Sequence, residues 1–501
     1  MISATKQCDI EKENCNLEKS IEELISDTLQ IPIDMVCDNL KYQSIKEWDS
    51  LTHVQLMLEI ETKFELSISD NQLAELTSVS KIKEMVYDYV SPEDKKSNNK
   101  SIINDNQEFN KLNPIDIKIY RGLNGLNFDT TKITHIDGEN GILQYRGYNI
   151  DELAEKSTYE ETSFLLLNGY LPNENELINF KEQLLTSRNL APGVIDLIYK
   201  LKDSHPMEML RTVISFLSHL DSYKNENTIG ATINKGIHLI AQIPIIISVF
   251  HSIRKNKDFL EPDKNFGHAK NFLYMLQGKA PADSIVNYVE KGLILQIDHG
   301  ANASAFTARV VTSTQADFYS AITSAISAFS GSLHGGAAEN VVKMIEEIGS
   351  PENVPSYIEE SLSKNKPIMG FGHRIYRVED PRAKHFAIIA KMISEDLGKF
   401  EYYEILERVT VEMQKFSKYG LNINVDFYMG LIYNLLGIPK DLLGAIFVVS
   451  RITGWLAQIV EQMENNILIR PNLHYVGDLN RKYESLDMRK NYLLEEELSL
   501  V

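Results

Sequence analysis

Apolar residues recur at helical spacing along most of this chain, and the places where that pattern breaks divide it into parts. Near the N-terminus Leu17, Ile21, Leu24, Ile25 and Leu29 form one stripe; Leu51, Val54 and Leu58, together with Met57, Ile60 and Phe64, form a second; Ile82, Met85, Val86 and Val90 form a third. Three short amphipathic helices must bury these faces on one another, so residues 1–92 are expected to form a small bundle. From Ser91 to Lys111 the chain reads SPEDKKSNNKSIINDNQEFNK, polar and without a helical stripe, which predicts a flexible linker over 93–112. The run ITHIDGENGILQY, residues 133–145, sets a glycine-containing turn between two β-prone runs and predicts a hairpin. From Ile150 onward the pattern is helical almost without interruption, with stripes at 207–220, 284–297, 315–330 and 384–397 and a helix expected over Ala337–Ile348. The fold class is therefore all-α.

At 501 residues the chain is long enough for two or more folded units. Hydrophobic residues at 43% and charged residues at 24% argue against wholesale disorder. The formal charge of −19 argues against nucleic acid or an anionic membrane as a partner. Residues 1–92 hold 8 basic and 18 acidic side chains, a net of −10, so over half of the excess lies in less than a fifth of the chain. Any anionic substrate of the larger part must then meet local arginines. The three cysteines, Cys8, Cys15 and Cys37, are odd in number and give no disulfide framework. Met1–Asn14 is polar and does not read as a secretory signal, so a cytoplasmic protein is expected. The most apolar run, Ile237–Ile253, contains His238, Gln242 and Pro244 and reads as a buried helix, not a membrane span.

Two constellations carry chemistry. The first is EWDSLTHVQLMLEIETKFEL at 47–66, which puts Asp49 and Ser50 at the start of a glutamate-rich helix. Serine and aspartate often sit there merely as caps. The tripeptide Asp-Ser-Leu, the following Phe64 and the length of the region resemble an acyl carrier protein. That resemblance implies 4′-phosphopantetheine attached to Ser50 by a phosphopantetheinyl transferase. A phosphodiester at a helix N-terminus would meet free N–H groups and the positive end of the dipole. The acidic surface at Glu59, Glu61 and Glu65 would face basic partners. A degenerate domain kept for docking is the alternative.

The second constellation spans DHGANAS at 298–304, GSLHGGAAENV at 331–341, GFGHRIYRVEDPRA at 370–383 and NVDFYMG at 424–430. A single histidine is more often a satisfied polar residue than a catalyst. Here His334 precedes two glycines and His373 follows Gly370 and Gly372, so backbone could approach a ligand beside each. At the start of the helix expected from Ala337, His334 would stay neutral and donate a hydrogen bond. Such a donor suits a thioester carbonyl turning into an enol, and Asp426 is the candidate carboxylate base.

With YRGLNGL, IDGENGILQYRGYNI and the closing IRPNLHYVG, residues from about 113 to 501 resemble the citrate synthase family. The resemblance implies a two-lobed helical fold, with a large domain over 113–335 and 435–501 and a small domain over 336–434. It implies condensation of acetyl-CoA with oxaloacetate, with a CoA thioester as substrate and no metal. Asp426 would remove a methyl proton while His334 stabilises the enol, and His373 would protonate the oxaloacetate carbonyl. His299, Arg382, Arg451 and Arg470 would hold the oxaloacetate carboxylates, Arg470 reaching in from the second subunit of a homodimer or of a higher oligomer of dimers. A closed pocket for a dicarboxylate needs fixed, bidentate cations, which arginine supplies better than lysine. Arg377 would contact CoA phosphate, and the turn Gly370, Phe371, Gly372 would carry the adenine end largely through backbone.

Departures from the family pattern are Gly300 after the first histidine, Ala338 for a common asparagine, Ile423 before Asn424-Val425-Asp426 for a common proline, and Met429 for a small serine. They leave the acyl and oxoacid preferences open. One methylene is worth only a few kcal/mol in an apolar pocket, so 2-methylcitrate synthesis from propionyl-CoA is a second reading. Condensation of an acyl group tethered at Ser50 is a third, and an inactive scaffold a fourth.

Overall fold

In the computed structural model the described residues are 4–42, 44–45, 47–48, 50–68, 76–90, 119–123, 125–364, 366–486 and 489. The expected linker, 93–112, lies outside them. Helices α1 (Ala4–Leu29), α2 (Ser50–Lys63) and α3 (Val79–Val90) enclose an apolar core of their own that includes Ile21, Ile25, Trp48, Met57, Ile60 and Val86. Its polar fittings are paired. Trp48 Nε1 donates to His53 Nδ1 at 3.1 Å, and Lys83 bridges Glu22, Asp38 and Glu18 at 2.6, 2.8 and 2.9 Å. The second stripe divides between two bodies. Met57 and Ile60 belong to the bundle core, whereas Val54 is buried in the larger core and Leu58 packs against it.

The predicted hairpin is present, with β1 (Thr134–Asp137) and β2 (Ile142–Tyr145) antiparallel and Thr134 opposite Tyr145. A short third strand not foreseen from the pattern, β3 (Tyr148–Asn149), pairs with β2. At the turn, Asp137 Oδ1 accepts the N–H groups of Glu139 and Asn140. The hairpin is anchored from its other end by Tyr145, whose hydroxyl donates to the carbonyls of Leu295 and Asp298.

Helices follow without further strands among the described residues: α4 (Ile150–Lys156), α5 (Tyr159–Asn168), α6 (Glu174–Thr186), α7 (Pro192–Lys200), α8 (Pro206–Leu220), α9 (Ile229–Arg254), α10 (His268–Gln277), α11 (Asp283–Gln296), α12 (Ala303–Ser313) and α13 (Phe318–Phe329). Then come α14 (Ala337–Ile348), α15 (Val354–Ser363), α16 (Ala383–Asp396), α17 (Phe400–Met413), α18 (Asp426–Leu435) and α19 (Leu443–Glu464). Their ends follow local chemistry. Asn173 and Glu176 form a reciprocal capping box at α6, and Asn302 caps α12 by accepting the Ala305 N–H. Buried on nearly all sides, α19 packs against α9, α11, α12 and α13, while α14, α16 and α17 surround α18. Both α9 and the stretch Lys440–Glu464 are long and apolar enough to cross a membrane, but 83% and 94% of their apolar windows are buried inside the fold. The described residues 119–123, 125–126, 469–486 and 489 fall in a second compact unit, which includes a short 3₁₀ turn at Arg121–Leu123.

Candidate active site

Four chain segments converge. The first links α11 to α12 and carries His299. Asp298 holds it in place: its Oδ2 accepts from Thr134, from the Gly300 N–H at 2.9 Å and from Gln458 at 3.1 Å. The second is the tight turn between α13 and α14 that carries His334. Its neighbour Gly335 is obligatory, because a Cβ there would lie 2.2 Å from the Phe329 carbonyl oxygen. The third and fourth segments are the 370–382 loop and the approach to α18, which pair antiparallel across Phe371 and Ile423. Gly372 N–H donates to Asn422 O at 2.8 Å and Asn424 N–H to Gly370 O at 2.9 Å. Gly370 combines φ +84° with a position where a Cβ would sit 2.5 Å from Phe427, so any side chain there would push the pair apart. The pairing delivers Asp426 to the first turn of α18.

The hydrogen bonds of each histidine select a tautomer. His334 Nε2 lies 2.9 Å from Ser304 Oγ and 3.3 Å from the Ser304 main-chain nitrogen. A main-chain N–H can only donate, so Nε2 accepts and the ring proton sits on Nδ1. His373 has the reverse arrangement. Its Nδ1 accepts the N–H groups of Ile375 and Tyr376, both at 3.1 Å, leaving Nε2 as its donor. His299 packs edge-on to His373 with ring centroids 5.3 Å apart, and its Nε2 is 3.1 Å from the Tyr376 hydroxyl.

Burial lowers both His334 and His373 to about 4; Arg451 adds to this at His334, while at His373 Asp380 and Arg382 act in opposite directions. Burial also holds His299 well below the usual imidazole range, with Arg382, His373 and Arg451 contributing. All three rings are thus neutral donors or acceptors at pH 7. Burial pushes the Asp426 carboxyl up to about 6, despite the opposing pull of Arg382 and Arg451. A carboxylate of that basicity is matched to proton abstraction near neutral pH.

Two buried guanidinium groups complete the site. Arg382 Nε donates to Asp380 Oδ1 at 2.9 Å and its Nη2 to Oδ2 at 2.6 Å. Asp380 outweighs the effect of burial and keeps Arg382 charged, and Nη1 is left for a second acceptor. Arg451 Nε donates to the Gln296 carbonyl at 2.7 Å, and its guanidinium lies 4.7 Å from the centre of the Phe447 ring. Burial lowers Arg451 to about 10, and it remains protonated at pH 7. Its charge is felt by His299, His334, Asp426 and Arg382 alike, so these groups share one electrostatic field.

The structure therefore brings together His299, His334, His373, Arg382, Asp426 and Arg451, with Gly370, Phe371 and Gly372 in the bridged segments that lead to Asp426. Arg377 is exposed on the same loop, and its main-chain N–H donates to Gly138 O at the hairpin tip at 3.0 Å. Arg470 belongs to the second compact unit, where it is exposed and bonds Asn472 at 2.9 Å. Ser50 is the first residue of α2; its side chain and Asp49 lie outside the described residues. Ser304, Tyr376 and Asp380 had not been singled out. Asp380 carried a readable signal, since an aspartate two residues before a needed arginine can hold it bidentately. Ser304 and Tyr376 carried none, because they act through contacts 30 and 77 residues away in the chain.

Neutral imidazoles opposed to a carboxylate base, with arginines alongside, define an enzyme that makes a carbanion equivalent and neutralises the charge that develops. Residues 122–472 match the family model for the citrate synthase C-terminal domain. The chain is 43% identical over 371 residues to citrate synthase 2 of Bacillus subtilis, covering 74% of this chain and 99% of that protein. It is 39% identical over 367 residues to a 2-methylcitrate synthase of Mycobacterium tuberculosis, covering 73% and 92%. A solved ternary complex of Thermoplasma acidophilum citrate synthase with carboxymethyl coenzyme A and oxaloacetate superposes with TM-score 0.71 at 32% identity, over 74% of this chain and 100% of that one. The chain belongs to the citrate synthase family and is an acyltransferase of that type.

Proposed function

We propose that this enzyme condenses acetyl-CoA with oxaloacetate to form citrate and CoA. The observation that carries the reading is the convergence of His334, His373 and Asp426 in the shared field of Arg382 and Arg451. Asp426 takes a proton from the thioester methyl group as the Nδ1–H of His334 stabilises the enol oxygen. The enol carbon attacks the oxaloacetate carbonyl, whose oxygen receives the proton of His373 Nε2. Arg382, Arg451 and His299 hold the carboxylates, with Arg470 supplied by a second subunit. Arg377 and the 370–372 turn bind CoA. Water then cleaves the thioester. The small lobe, 336–434, would close on the large lobe to keep the enol from water. Dimerisation is supported by the apolar side chains Leu473, Val476 and Leu479, which are 97%, 86% and 75% exposed. The enzyme is proposed to work in the cytoplasm.

Purified protein incubated with acetyl-CoA or propionyl-CoA and a panel of 2-oxoacids, with free thiol followed, tests this. Release with acetyl-CoA and oxaloacetate is expected, with a fall of about 10²–10⁴-fold in Asp426→Ala. The wild-type rate should decline as pH drops through about 6, where Asp426 takes up its proton. No release with any oxoacid refutes the enzymatic reading, and a preference for propionyl-CoA replaces citrate by 2-methylcitrate. We further propose that the N-terminal bundle is an acyl carrier domain bearing phosphopantetheine on Ser50. Its support is the Asp-Ser-Leu run at the start of α2, the three-helix core and the concentration of acidic residues. Treatment with a phosphopantetheinyl transferase and CoA should raise the mass of the wild type but not of Ser50→Ala.

A further inference from the structure

The N-terminal bundle makes a specific contact with the segment that leads to the catalytic carboxylate. On α2 the helical register places positions 50, 54, 58 and 61 along one face. Of these, Val54 is 4% exposed and lies in the larger core, and Leu58 packs against that core. One turn further on, Glu61 Oε2 accepts the Tyr419 hydroxyl at 2.8 Å, and its Oε1 lies 3.4 Å from Lys418 Nζ. Lys418 stands 4.6 Å from the centre of the Tyr419 ring, which packs against both hydrophobic cores. Hydrogen bonds from Tyr419 and Lys418, together with the Ile68 N–H, outweigh partial burial and hold Glu61 below the usual carboxylate range. Only Gly420 and Leu421 separate Tyr419 from residues 422–424, which ladder with Gly370–Gly372 and end at Asp426.

We infer that α2 is a built-in docking helix for the condensing site, gripping it at Lys418 and Tyr419 so that an acyl group carried at Ser50 reaches Asp426 within its own assembly. This rests on the carrier and condensation readings above. A phosphopantetheinyl transferase given acetyl-CoA places acetyl-phosphopantetheine on the Ser50 oxygen and releases adenosine 3′,5′-bisphosphate. The acetyl methyl group then gives its proton to Asp426, the new C–C bond forms to the oxaloacetate carbonyl carbon, and water hydrolyses the thioester to leave the carrier thiol free. No further reactant is needed.

The test is a single-turnover experiment on the acetyl-loaded full-length protein mixed with oxaloacetate, reading citrate by mass spectrometry. The expected rate constant does not change on hundredfold dilution, because the tether sets the effective concentration. Glu61→Lys should slow it by about a hundredfold while leaving turnover of free acetyl-CoA as in the wild type. A rate proportional to protein concentration, or one untouched by Glu61→Lys, overturns the docking inference, as does the absence of a mass gain at Ser50. Failure of free acetyl-CoA to react would instead strike the condensation reading. Hydrogen exchange supplies a second readout: amides at 414–420 should lose protection in Glu61→Lys, and unchanged exchange there overturns the dock.

Discussion

The N-terminal bundle and the condensing site treat buried charge in opposite ways. In the bundle, Lys83 meets three carboxylates, and their hydrogen bonds outweigh the burial that would otherwise lower its pKa. In the condensing site, His334, His373 and Asp426 are desolvated without full pairing, and each is driven from its ordinary protonation behaviour. Asp380 with Arg382 is the one fully matched pair among the groups described there, and it fixes a cation that a substrate carboxylate could share. Paired burial stabilises a fold. Unpaired burial costs stability and leaves groups ready to exchange protons.

Three substitutions sharpen the contrast. Arg382→Lys removes the planar fork that Asp380 and a substrate carboxylate both require, and it should raise KM for the oxoacid by about 10–100-fold, the equivalent of losing one charge-assisted contact. Steady-state kinetics with oxaloacetate varied at saturating acetyl-CoA measures this; an unchanged KM would remove Arg382 from the substrate site.

Lys83→Met leaves Glu18, Glu22 and Asp38 facing one another and should destabilise the bundle by about 2–3 kcal/mol, the partners being partly exposed. Lys83 is raised above its unfolded value. Its contribution is therefore fully present below about pH 10.5 and is lost as pH climbs above that value. Urea unfolding followed by Trp48 fluorescence reports the loss, and thiol release from free acetyl-CoA should stay at the wild-type level.

Asp426→Asn should move stability the other way while abolishing condensation. The folded pKa lies above the unfolded one, so stability declines as pH rises from 3.8 to about 6, and an amide does not bear that cost. A gain on the order of 3 kcal/mol at pH 7 is expected, absent at pH 3, when thermal melts of the two proteins are compared.

Helix positions were legible because amphipathic periodicity is a local property. The stripes at 207–220, 284–297 and 384–397 became Pro206–Leu220, Asp283–Gln296 and Ala383–Asp396. Glycines flanking His334 and His373 were legible as well, since close backbone approach leaves a mark in the sequence. Periodicity could not say what each stripe packs against. Val54 and Met57 read as parts of one stripe, yet they enter different cores.

By itself the sequence determined which segments are helices, where the apolar pattern breaks, and which residues could act as base, donor and cation. Tertiary structure alone decided the tautomer of each histidine, through the Ser304 and Ile375 main-chain N–H groups, and the basicity of Asp426, through its burial beside Arg382 and Arg451. Protonation depends on the field and solvent within a few ångströms, and the neighbours that set it at His334 and Asp426 come from other elements of the chain.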